Sequence, residues 1–193
     1  MFTNLDRKED VFLEKIVKQK KKKTDYLIII GSILGVFVLI GLVLFIGMLF
    51  PIFTFLIPLG VAAVMYGAWR LMIMTNREYE YIVTNGALDI DLIINRQRRK
   101  RVLRIVPEDI ELMTKAGEAE MRPYVNNERY KKLDATSGLP DVDLWQLACL
   151  NRNQPTLVTF EPDTRMLEGL RRHSPSKVRY LPQIHRRTES RSN

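Results

Sequence analysis

From Leu27 to Thr75 the chain carries one charged residue, Arg70. Forty-nine residues with a single charge are too many for one buried helix, and a chain of 193 residues has little interior in which to hide two. The stretch divides into Tyr26–Gly47 and Ile52–Met74. Each half holds enough residues, at about 1.5 Å rise, to cross a hydrocarbon layer of roughly 30 Å. Only Met48, Leu49, Phe50 and Pro51 lie between them. Pro51 suits the first turn of a helix, where its missing amide is not needed. Pro58 falls inside the second segment and predicts a bend there. The expected element is a tight transmembrane hairpin over residues 26–75, with helices 26–47 and 52–74.

The flanks of this stretch orient it. Lys15, Lys18 and the run Lys20–Lys23 precede the first helix, and Arg70, Arg77 and a cluster from Arg96 to Arg104 follow. The turn between the helices is uncharged. Both termini are therefore expected on the cytoplasmic side of the inner membrane, in a multi-pass arrangement. The apolar segment is too long for a signal peptide and lacks its cleavage pattern. Residues 1–25 form a basic N-terminal segment. Val11, Phe12, Ile16 and Val17 there have helical spacing, which suggests a short helix lying at the interface. Gly31 and Gly35 in the first helix, and Ala63 and Gly67 in the second, are each four apart and at similar depth. They are the expected packing contact of the hairpin.

After the membrane segment the period changes from helical to alternating. In "EYEYIVT", Tyr79, Tyr81 and Val83 point one way while Glu78 and Glu80 point the other. Asn85-Gly86 signals a two-residue turn. Pairing Thr84 with Ala87 then sets Tyr81 against Ile90 and Val83 against Leu88. "LDIDLII" continues to Ile94, and a looser connection leads to "KRVLRIV". Pairing Ile94 near Arg99 places Asp89 opposite Arg104, so Asp89 and Asp91 read as strand-surface carboxylates rather than as metal ligands. Further strands are expected at Asp109–Met113, Lys131–Thr136, Val142–Leu150 and Leu157–Phe160, with Met121–Tyr130 a loop or edge. Asp163 caps a helix over 163–173 whose Met166, Leu167 and Leu170 form one stripe. The expected core holds Tyr79, Tyr81, Val83, Leu88, Ile90, Leu103, Ile105, Leu157, Val158, Phe160, Leu167 and Leu170. Val158 sits opposite Leu157 in strict alternation and is its least regular member. Residues 176–193 read as a basic disordered tail.

These elements give a two-helix transmembrane hairpin followed by a mainly antiparallel β-barrel or roll, residues 76–175, closed by a C-terminal α-helix. That arrangement resembles bacterial pleckstrin-homology-like domain proteins. "EYEYIVTNGALDIDLI", "RRKR" and "FEPDTRMLEGLRR" together resemble a small uncharacterised family of two-helix membrane proteins from Gram-positive anaerobes. The resemblance runs from Lys15 to His173. It implies a membrane location and no assigned activity, and a shared fold licenses neither lipid binding nor catalysis.

Chemical constellations are thin. The two histidines, His173 and His185, lack ligand spacing. Cys149 is the only cysteine, on an apolar strand, and reads as a core thiol. No phosphate loop or dinucleotide fingerprint is present. No cofactor or metal is therefore expected, and the chain is expected not to be an enzyme. Arg96, Arg98, Arg99, Lys100, Arg101 and Arg104 form a dense basic patch. Beside a bilayer it suits anionic headgroups; a protein partner or plain solvation are its other readings. Nucleic acid is not expected, because no aromatic residues interleave with the patch. The functional expectation is a non-enzymatic membrane-anchored module. It would present a small cytoplasmic β domain to the inner leaflet or to a protein partner. The alternative is a structural subunit of a larger membrane assembly, or of a homo-oligomer, with the barrel as scaffold.

Overall fold

The computed structural model describes residues 12–181. Its first element departs from expectation. Phe12–Lys18 is not a helix but a strand, β1, antiparallel to the strand that follows the apolar stretch; Val11 and the residues before it lie outside the described part. The apolar stretch itself forms helix α1, Lys23–Leu49, a 3-10 turn over Pro51–Leu56, and helix α2, Ile57–Ile73. At 27 residues α1 is about 40 Å long. Then come β2, Arg77–Thr84; β3, Ala87–Ile94; and β4, Arg98–Ile105. The four strands form one antiparallel sheet in the order β1-β2-β3-β4. The helical hairpin is thus an insertion between the first two strands of the β domain, and that domain begins before the hairpin rather than after it. The short strand defeated a helical reading because Val17 alone among its residues is buried, while Phe12 and Ile16 stay exposed on the other face.

A second sheet combines β5, Ile110–Lys115; β6, Lys131–Asp134; β7, Trp145–Asn151; and β8, Gln154–Phe160, in the order β5-β7-β8-β6. β6 runs parallel to β8, the one parallel pair among the described strands. Met121–Tyr130, expected as loop or edge, instead follows from a 3-10 turn over Ala119–Met121 into a one-turn helix, α3, Arg122–Val125. It lies across the back of the second sheet, where Met121 packs on Leu157 and Ala148. This cover explains the pair that strict alternation made awkward. Val158 faces the main core, Leu157 faces the back, and both are buried.

The main core lies between the two sheets and under helix α4, Thr164–His173. The Asp163 carboxylate caps α4 by accepting from the Met166 amide at 2.8 Å. Every residue expected in the core is buried. Tyr81 lies at its centre, in edge-to-face contact with Phe160, and its hydroxyl donates to the Ala135 carbonyl. The Asn85-Gly86 turn has φ of 49° and 83°. A side chain at Gly86 would also strike His173 on α4, with the nearest atom 2.4 Å away. The chain beyond α4 does not leave the domain at once: Lys177 and Arg179 bond to Met113 of β5, and Tyr180 stacks on Trp145. The first residues of the expected tail are therefore docked, as far as Tyr180.

Within the hairpin the contact surface is rotated by one residue from the expected one. Nothing lies within 4 Å of a side chain built at Gly31, Gly35 or Gly67, and Ala63 is exposed. The small residues that meet the opposing helix are Ser32, Gly47, Gly60 and Ala68. Gly60 lies against Val43 and Gly47 against Ile57, while Ser32 and Ala68 are buried. Side chains lean toward the helix N-terminus, so depth and spacing alone do not fix the facing side. Pro58 falls in the first turn of α2, where it leaves no hydrogen bond broken. Both helices are almost wholly exposed, with 6% of their most apolar windows buried. A core helix of a soluble domain would be covered; these two are consistent with insertion into a membrane.

Candidate functional site

The site is the root of the hairpin, where helices and sheet join. Two backbone hydrogen bonds fix its shape. The Gln19 amide donates to the Arg77 carbonyl at 3.0 Å, extending the β1–β2 ladder to the point where both chains turn into the helices. The Asn95 amide donates to the Asn76 carbonyl at 2.8 Å. The β3–β4 turn is thereby held against the residues that end α2. The two bonds point this basic turn toward the hairpin rather than away from it. Asn95 and Arg96 enter the turn at φ of 50° and 54°.

The β3–β4 register carries a bulge. Ile90 faces Leu103 but Asp91 faces Arg101, so Val102 is the extra residue. Asp89 faces Arg104, as the alternation implied, while Ile94 faces Arg98 rather than Arg99. The bulge divides the basic patch between two faces. On the outer face Arg99 reaches Glu80 at 2.9 Å, and Arg101 reaches Asp91 at 2.9 Å and Asp89 at 3.0 Å. Arg104 lies 3.9 Å from Asp89, and Arg96 lies 3.7 Å from Glu78. Four of the six patch cations are therefore occupied by carboxylates of neighbouring strands, and Asp89 and Asp91 are partners of arginine. Among the described residues no group of three acids, cysteines or histidines has metal-binding proximity.

Electrostatics on this outer face are tight. Glu80 is buried, and its Oε2 has no hydrogen-bond partner. Burial raises the Glu80 pKa above its ordinary value, the neighbouring Glu14 carboxyl adds to the rise, and Arg99 opposes it. Arg101 is pushed upward, chiefly by its bond to Asp91. Cys149 is fully buried in the second sheet, and burial pushes its thiol up to about 12, as suits a core residue.

On the inner face the balance reverses. Arg98 and Lys100 share the face of Ile94 and Leu92 and have no ion-pair partner among the described residues. Arg98 joins Arg70 of α2 and Arg77 of β2 around a cleft of about 370 Å³, whose other walls are Ile73, Met74, Tyr79, Leu92 and Ile94, with the Asn95 and Gln97 amides of the turn at one side. Arg77 has a distant partner, Asp25, at 3.9 Å. That carboxylate is buried in the first turn of α1, where it also accepts from the Lys22 amide at 2.8 Å. The ion pair ties the start of α1 to the start of β2. Sequence reasoning named Arg70 and Arg77 as flanking charges; Arg98 meets them because Arg77 pairs with Ile94 and the bulge brings Arg98 rather than Arg99 opposite Ile94.

The fold and this root define a class: a β roll of two packed sheets closed by a C-terminal helix, carrying an apolar helical hairpin between its first two strands. Residues 9–180 match the family described as Bacterial PH-like domain (DUF6106), and the chain belongs to that family. No curated protein and no solved structure matches it.

Proposed function

We propose that the protein is a non-enzymatic, membrane-anchored interaction module. In this reading the hairpin enters the cytoplasmic membrane from the inside, and the roll is held flush against the inner leaflet. The observation that carries it is the Asn95–Asn76 hydrogen bond, which keeps the basic turn within three residues of the end of α2. Because β1 and β2 pair up to the hairpin root, the start of α1 and the end of α2 lie together, on one side of the bilayer in this reading. Tyr26 near the start of α1 and Trp69 near the end of α2 are exposed close to the hairpin root, with Tyr66 one turn deeper, as suits an interfacial aromatic belt. Just outside that belt lie Lys20–Lys23, Arg77, Arg96 and Arg98, at the level of the phosphates. Each such cation contributes about 1 kcal/mol of attraction to an anionic leaflet.

Hydrogen exchange of the full chain in lipid nanodiscs tests this reading. Amides of Asn95–Lys100 should exchange more slowly when anionic lipid replaces neutral lipid, and the difference should shrink as salt rises. Exchange that is indifferent to lipid charge contradicts it. A second reading, a subunit of a larger membrane assembly, draws on the outward direction of Gly31, Gly35 and Gly67, which leaves small faces open to another helix. A stoichiometric partner whose crosslinks map to those three positions would favour it.

A further inference from the structure

We propose that the cleft between α2 and the β3–β4 turn holds a single anionic phospholipid, its phosphate among Arg70, Arg77 and Arg98 and its glycerol and acyl chain against Ile73, Met74 and Leu92. The inference rests on the reading that α2 lies in the membrane, and it adds a specific site to a general attraction. Its main support is a contrast within the molecule. The outer-face arginines Arg96, Arg99, Arg101 and Arg104 are each matched by an acid of β2 or β3. The three arginines of the cleft share a lining that contains no carboxylate. Neighbouring clefts at the same root differ in this respect. The groove beside β1, of about 910 Å³, includes Glu78 and Glu161. The notch by Lys18 and Lys21 includes Glu78, and the one along Lys20–Lys23 includes Asp134. An anion is disfavoured where a carboxylate already stands, and favoured where three arginines line one cleft with no carboxylate in its lining; of the three, Arg77 alone has an ion-pair partner among the described residues, the distant Asp25 at 3.9 Å.

The residue type narrows the anion to phosphate. Guanidinium donors form paired hydrogen bonds to phosphate oxygens, a geometry that lysine ammonium cannot match. The source is narrowed to lipid by the walls. One of them is the last turns of α2, whose Leu71 and Met74 are exposed, so a ligand here touches apolar side chains continuous with the surface of the hairpin. A basic pocket beside a membrane helix at the level of the headgroups is the setting in which phospholipids are retained.

The full chain in mild detergent, stripped of lipid, should bind short-chain phosphatidylglycerol saturably, and phosphatidylcholine and inorganic phosphate far more weakly. The variant Arg70→Gln/Arg98→Gln removes two donors that have no ion-pair partner among the described residues, and it should weaken phosphatidylglycerol binding by about tenfold or more. A second variant, Lys131→Gln/Lys132→Gln, removes the same charge from exposed positions of β6 outside the cleft and should bind as the parent does. Equal affinity for phosphatidylcholine overturns the proposal, as does phosphate binding as tightly as the lipid. Equal losses in the two variants also overturn it, while leaving the membrane-surface reading intact, because they would mark diffuse attraction rather than a site.

Discussion

Tyr81 shows how much one residue holds in this roll. It is fully buried, stacks edge-on against Phe160, and its hydroxyl joins the first sheet to the Ala135 carbonyl beside the second. Tyr81→Ala should lower the unfolding free energy of the detergent-solubilised chain by about 3–5 kcal/mol, a cavity loss. Tyr81→Phe, which leaves only a carbonyl unpaired, should cost about 1–3 kcal/mol. Denaturant unfolding distinguishes them, and an alanine variant as stable as the parent would remove Tyr81 from this role. Glu80 gives a pH signature. Its folded-state pKa lies above the ordinary 4.5, chiefly through burial. The folded protein therefore keeps a proton that the unfolded chain releases as pH rises past that value. The stability from this proton is complete below pH 4.5 and is lost as pH rises through the raised pKa. Thermal midpoints of Glu80→Gln should fall less over that window than those of the parent; parallel curves would contradict the assignment. The inward members of β2 and β3 were legible from alternation alone, because a period of two with a Asn-Gly turn admits one register. Glu80 was placed on the correct face, but its burial was not legible, since it follows from the Arg99 and Ile16 side chains of two other strands.

At the scale of elements, the hairpin and the strands divide what sequence could tell. Apolar length identified both helices; it did not identify their facing sides, because nearly every position in them is apolar. The contact through Gly47, Gly60 and Ala68 predicts that Ala68→Leu destabilises the hairpin while Gly67→Leu, one residue around the helix, does not. Thermal unfolding in detergent measures the pair, and equal losses would contradict the rotation. The first strand was missed for a related reason. Its seven residues alternate imperfectly, with Lys15 on the inner side reaching the Glu161 carbonyl at 2.7 Å. A charged residue at an inward position masks the period of two. The strand is nonetheless part of the domain. Joining residues 12–18 to residues 78–181 through an Asn-Gly turn should give a soluble domain that unfolds cooperatively. A fragment that begins at Arg77 lacks Val17 and the cover it gives Tyr79, and should be less stable by about 2 kcal/mol or more. Equal urea midpoints would show that β1 is dispensable.

The whole molecule is a domain divided by its own apolar hairpin. With the hairpin inserted between two paired strands, no linker separates roll from helices: Lys18 is paired with Glu78, and α1 begins at Lys23. Such an arrangement sets the orientation of the roll as well as its tether, because the β3–β4 turn is bonded to the chain leaving α2. Depth-dependent quenching tests this most directly. Fluorophores are placed on cysteines at Gln97, in that turn, or at Thr84, at the far end of β2, in the full chain reconstituted with lipids spin-labelled at the headgroup. Cys149 is buried and does not compete for label. Seven residues of strand separate Thr84 from Arg77, about 23 Å at 3.3 Å per residue. The account predicts strong quenching at Gln97 and little at Thr84; equal quenching at both, or stronger quenching at Thr84, would contradict it.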